Sequence, residues 1–79
     1  MKVVTDTKEF FEALRNEEEQ FLISGNLKER VLQTNIFPLA IKNTLIWIII
    51  SEKQANLLGK LSSYHIYSAK EGEIICYLK

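Results

Sequence analysis

Apolar residues along this chain come in short clusters whose spacing switches between the two-residue period of strands and the three-to-four-residue period of helices. Val3-Val4 predicts a brief first strand. Asp6-Thr7-Lys8-Glu9 then carries a capping signal: Asp6 can accept from amides that an opening helix leaves unpaired, while Glu9 reaches back. Phe10, Phe11 and Leu14 recur at helical spacing with Glu12 and Arg15 outside them, which predicts an amphipathic helix to about Arg15. Asn16-Glu17-Glu18-Glu19 follows as an acidic corner, read as a solvated turn. Phe21-Leu22-Ile23 predicts a second strand, stopped by Ser24-Gly25-Asn26. Asn26 with Glu29 offers another helix cap, and Leu27, Val31 and Leu32 then share a face. A tight hairpin through Ser24-Gly25-Asn26 competes with that helix, because Gly-Asn also suits such turns; the helix is preferred.

Pro38 disfavours a central strand or helix interior, so residues 34–43 are expected to form an irregular connection with apolar anchors. The run Leu45-Ile46-Trp47-Ile48-Ile49-Ile50 is rich in β-branched and aromatic side chains. It predicts a strand over 44–50, buried on both faces and central in the sheet, with Trp47 in the core. Ser51 with Gln54 is then expected to cap a helix from Glu52 to about Ser63, with Ala55, Leu58 and Leu61 inward and Leu57 beside them. Gly59 inside that helix implies close packing against the sheet. His65-Ile66-Tyr67 and Ile74-Ile75-Cys76-Tyr77-Leu78 form a closing hairpin around Lys70-Glu71-Gly72. Strands separated by helices and finished by a hairpin imply an α+β two-layer sandwich. The expected sheet is mixed and four- or five-stranded, with two or three helices mainly on one face.

Seventy-nine residues make a single domain spanning 1–79. A chain this short hides only about 60% of its unfolded surface, so the core is thin. Ten basic residues balance ten acidic ones, leaving no net field to gather nucleic acid or an anionic membrane. Near-zero charge also favours association, with a partner or with a second copy. One cysteine, Cys76, leaves no intramolecular disulfide and fits a reducing compartment, so a cytoplasmic location is expected. The opening residues meet Asp6 before an apolar stretch develops, unlike a signal peptide. Between Arg30 and Glu52 only Lys42 is charged, which raises membrane association as an alternative. Pro38, Lys42 and several amides break that stretch, and a spanning helix wants roughly 20 mainly apolar residues.

Residues for chemistry are sparse. Cys76 and His65 have no companions at the spacing of a zinc site, so neither metal nor cofactor is expected. The two could meet on the last hairpin as a nucleophilic pair, but alternation places Cys76 with Ile74 and Leu78 as a small hydrophobe. Gly25, Gly59 and Gly72 are scattered and form no phosphate loop, and no G-x-S-x-G occurs. The reading is therefore non-enzymatic. Tyr64, Tyr67 and Tyr77 would stack bases if they shared an exposed sheet face, yet no basic stripe accompanies them, so nucleic acid is not expected.

What remains is surface. Ile36, Phe37, Leu39 and Ile41 make a strongly apolar connection, the candidate partner surface; the competing reading folds it over the open sheet face to complete the core. Two stretches also carry a resemblance. Lys8-Glu9-Phe10-Phe11-Glu12-Ala13-Leu14-Arg15-Asn16 with Phe21-Leu22-Ile23-Ser24-Gly25-Asn26-Leu27, and Leu58-Gly59-Lys60-Leu61 through Tyr64, Ile66, Gly72 and Ile74 to Lys79, resemble a loose group of uncharacterised small bacterial proteins. That group has an α/β N-terminal module and a Gly/Ala-rich middle suited to membrane helix packing. Here residues 34–50 hold a Pro, a Lys and β-branched residues instead, and no catalytic residues come with the resemblance. The expected function is a small non-catalytic interaction module, a subunit, regulator or inhibitor of another protein, or a self-associating one. Membrane association is the alternative.

Overall fold

Asp6 opens the first helix as its side chain allows. In the computed structural model, which describes residues 1–34, 41–68 and 72–79, its Oδ1 accepts from the Glu9 amide at 2.8 Å. Glu9 returns the bond one residue further back than a capping box requires, its Oε1 accepting from the Thr5 amide and hydroxyl at 2.9 and 2.7 Å. The Thr5 hydroxyl bond, then the amide bond, holds the Glu9 carboxyl below its ordinary range. Helix α1 (Thr7–Arg15) follows strand β1 (Lys2–Val4) and buries Phe10, Phe11, Ala13 and Leu14. The acidic corner ends it. Glu17 takes a left-handed φ of 51°, and the Glu17 and Glu18 amides bond back to the Leu14 and Ala13 carbonyls. This pair of bonds is a Schellman closure, which ordinarily favours glycine at the left-handed position.

Strand β2 (Gln20–Ile23) pairs parallel with β1, so α1 is the crossover between them. Helix α2 (Gly25–Thr34) then forms, as preferred over the hairpin. It starts at Gly25, one residue before the expected Asn26 cap. Gly25 has φ +59°, and a Cβ there would stand 3.2 Å from Thr5 Cβ, so both the backbone and the contact call for glycine.

The expected central strand over 44–50 is a helix, α3 (Ile41–Ser51). Its buried residues are Ile41, Leu45, Ile48 and Ile49, the i, i+4, i+7, i+8 spacing of a helix face, while Trp47 is 66% exposed rather than in the core. A run that is apolar on every side carries no period to read, and packing overrides the β preference of its residues. The expected cap at Ser51 shifts accordingly. Ser51 lies in the last turn of α3 and its Oγ donates to the Ile48 carbonyl at 3.0 Å. Lys53, at φ 59°, closes α3 with a second Schellman pair, Lys53 N to Ile50 O and Gln54 N to Ile49 O.

The helix expected from Glu52 starts later, as a 3-10 turn (Ala55–Leu57) running into α4 (Leu58–Ser62). Leu57 and Leu61 are the buried residues there, while Ala55 is exposed and Leu58 half-buried. Gly59 meets no packing requirement, since a Cβ on it would find nothing within 4 Å. Gly59→Ala is therefore expected to stabilise the fold by about 0.5–1 kcal/mol through lost unfolded-chain entropy, read from a urea midpoint shift at constant m.

Strands β3 (Tyr64–Ser68) and β4 (Ile74–Leu78) form the expected hairpin. β4 also pairs antiparallel with β2, giving a four-stranded mixed sheet in the order β1-β2-β4-β3. The centre belongs to β2 and β4. Val4, Phe21, Ile23, Tyr64, Ile74 and Cys76 point to one side and join the buried residues of all four described helices in one core. The result is an α+β sandwich with its helices on one face.

Candidate functional site

Residues out of phase with that core make the opposite face of the sheet. The register sets Val3, Leu22, Ile75 and Tyr67 in one row across the four strands. Gln20, Tyr77 and His65 make the next row. None of these positions is charged, whereas an antiparallel sheet that meets water ordinarily turns polar residues outward. Val3 and Tyr67 are 48% and 47% exposed, and Leu22, Ile75 and Tyr77 are half-buried. Among the described residues no helix covers this side.

One corner of the face is aromatic. Tyr67 and Tyr77 stack with centroids 5.2 Å apart, and His65 lies 5.3 Å from Tyr77 and 6.3 Å from Tyr67. The Tyr77 hydroxyl donates to Tyr67 Oη at 2.7 Å, a bond that holds its proton and raises its pKa above the ordinary phenol value. Glu73, just before β4, and Lys79, just after it, are in phase with Ile75 and Tyr77. The face thus ends in opposite charges.

The three tyrosines do not share one face. Tyr67 and Tyr77 share the open face, while Tyr64 faces the core, 2% exposed, and its hydroxyl donates to the Glu18 carbonyl at 2.6 Å. Burial pushes its pKa up to about 12. Cys76 is fully buried on the core side, and burial pushes its thiol up to about 12. His65 is on the opposite side of the sheet, so thiolate and imidazole do not meet. Among the described residues no three His, Cys, Asp or Glu side chains gather to hold a metal ion.

Of the candidate partner surface, Ile36, Phe37 and Leu39 lie outside the described residues. Ile41 opens α3, 6% exposed and packed with the core cluster. Sequence reasoning missed the open face because each of its residues is an ordinary strand former. The signal was that both phases of Phe21-Leu22-Ile23 and of the last strand are apolar, whereas a half-buried strand alternates. A second exposed apolar pair, Trp47 and Ile50, lies on α3. No described helix is long and apolar enough to cross a membrane. In comparisons with known proteins, no family model, no curated protein and no solved structure matches this chain.

Proposed function

We propose that the protein is a small non-catalytic interaction module that docks through the open face of its sheet. The observation that carries this reading is the uncharged double row of Val3, Leu22, Ile75 and Tyr67 with Gln20, Tyr77 and His65. The occupant that fits it is a second copy. A two-fold axis lying in the interface and running across the strands sets β4 antiparallel over its own copy. Glu73 of each protomer then faces Lys79 of the other, and the apolar rows meet in the middle. Sheets packed this way stand about 10 Å apart. Four strands of three to five residues give a footprint on the order of 300 Å², below the roughly 800 Å² per partner of a standard interface. The dimer is accordingly weak and concentration-dependent.

Sedimentation of the full chain is expected to show a monomer–dimer equilibrium with Kd between about 1 µM and 1 mM. Tyr67→Lys, at an exposed position, is expected to shift it to monomer with the circular dichroism melt unchanged. Glu73→Lys and Lys79→Glu each weaken the dimer, and the double variant restores it. A wild-type chain that remains monomeric to about 1 mM overturns the self-association.

A further inference from the structure

The outer edge of β3 is a second candidate surface, which shares His65, Tyr67 and Lys79 with the open face but offers main-chain groups rather than a sheet face. The two edges of the sheet differ. β1 is three residues long and carries Lys2, the short charged form that keeps an edge from pairing with other chains. β3 is five residues, Tyr64-His65-Ile66-Tyr67-Ser68, with no charge and no proline, and among the described residues it is paired only with β4.

The hydrogen-bond phase of that edge follows from the register. The Lys79 amide bonds to the Ser63 carbonyl at 3.0 Å, and Ser63 and Lys79 continue the Tyr64–Leu78 pairing by one step. In an antiparallel ladder bonded and non-bonded pairs alternate, so His65 and Tyr67 exchange bonds with β4. The Leu78 amide, bonded to the Glu19 carbonyl at 2.9 Å, gives the same phase from the β2 side. Ile66 and Ser68 therefore present their N–H and C=O groups outward.

A groove of about 430 Å³ runs along this edge, lined by Tyr64, Ile66 and Ser68 of one phase and His65 and Tyr67 of the other. Ile41 and Lys42 of α3 and Lys79 complete it. Its described lining has two lysines and no Asp or Glu side chain. We infer that the β3 edge takes an extended acidic segment of another protein as an added strand, with Ile66 and Ser68 supplying the main-chain bonds and Lys42 and Lys79 selecting acidic side chains. A second copy is the wrong occupant here. Pairing β3 with its own symmetry mate would bring both lysine pairs to one seam, where like charges repel.

The test uses the full chain with two blocked hexapeptides, one alternating valine and glutamate and one alternating valine and lysine, followed by amide chemical shifts. The acidic peptide is expected to shift the Ile66 and Ser68 amides and to bind the Lys42→Glu/Lys79→Glu variant about tenfold more weakly. Ser68→Pro removes an outward donor without touching the ladder to β4, so it is expected to abolish binding with the fold intact. An acidic peptide methylated on alternate amides tests the same bonds from the other partner and should fail on the wild type. Equal binding of the two peptides overturns the inference. So do shifts confined to Val3, Leu22 and Ile75 on the open face, and so does absence of any shift at millimolar peptide.

Discussion

Phe21→Ala is expected to take away most of the stability of this domain. The Phe21 ring is fully buried, 6.0 Å from the Phe10 ring and 5.2 Å edge-on from Tyr64, so it links α1, β2 and β3 in one contact. Truncating a buried phenylalanine costs about 3–5 kcal/mol, transfer and cavity terms together. A chain of 79 residues has roughly 4–12 kcal/mol to lose. The variant should melt about 15–30 °C lower or be partly unfolded at 25 °C, by calorimetry against wild type. Val3→Ala, on the exposed face, is the control and should stay within about 0.5 kcal/mol. A Phe21→Ala loss under about 1 kcal/mol would mean that the core closes around the gap, and that the ring does not join the layers.

The second large effect is an alkaline loss of stability. In the folded chain Cys76 keeps its proton to about 12, against 9.0 for an unperturbed thiol, because burial penalises the thiolate. The folded state thus binds one more proton than the unfolded state between these values. Stability is fully present below about pH 9 and falls by roughly 1.4 kcal/mol per pH unit above it, about 4 kcal/mol by pH 12. Tyr64, raised by burial from 10.0 to about 12, acts in the same direction from pH 10 upward. Urea midpoints should therefore drop steeply between pH 9 and 11, and Cys76→Ala, though less stable at pH 8, should show a shallower slope. An identical slope in that variant would assign the loss to other groups. At pH 8 the same burial should leave Cys76 nearly inert to a thiol probe until the chain is unfolded.

Local signals were legible wherever a polar residue had one job. Asp6 caps α1 through the Glu9 amide, as its place before Phe10 and Phe11 implied. The strands of the last hairpin pair as expected, with Cys76 inward as a small hydrophobe; Lys70 and Glu71 of the expected turn lie outside the described residues. Legibility failed over 41–51. There Ile46, Trp47, Ile48, Ile49 and Ile50 leave no polar position to mark a face, so the pattern favours neither a strand nor a helix. A strand there would make Ser51 a helix start signal, whereas its hydroxyl donates to the Ile48 carbonyl of the helix behind it. Glu17 and Lys53 mislead in a related way. Both occupy the left-handed position where glycine usually announces a helix end.

By itself the sequence determined the class of the molecule: its size, its neutral charge, one cysteine, short strands between capped helices, and the α+β sandwich they imply. These are local or additive properties, so they can be read one residue at a time. Only the tertiary structure decided which elements pair and which face stays open. Whether an isoleucine-rich run becomes a helix depends on what it packs against, and whether Tyr67 joins Tyr77 or Tyr64 depends on strand register. Register and packing join residues far apart in the chain, and no short window of residues contains them.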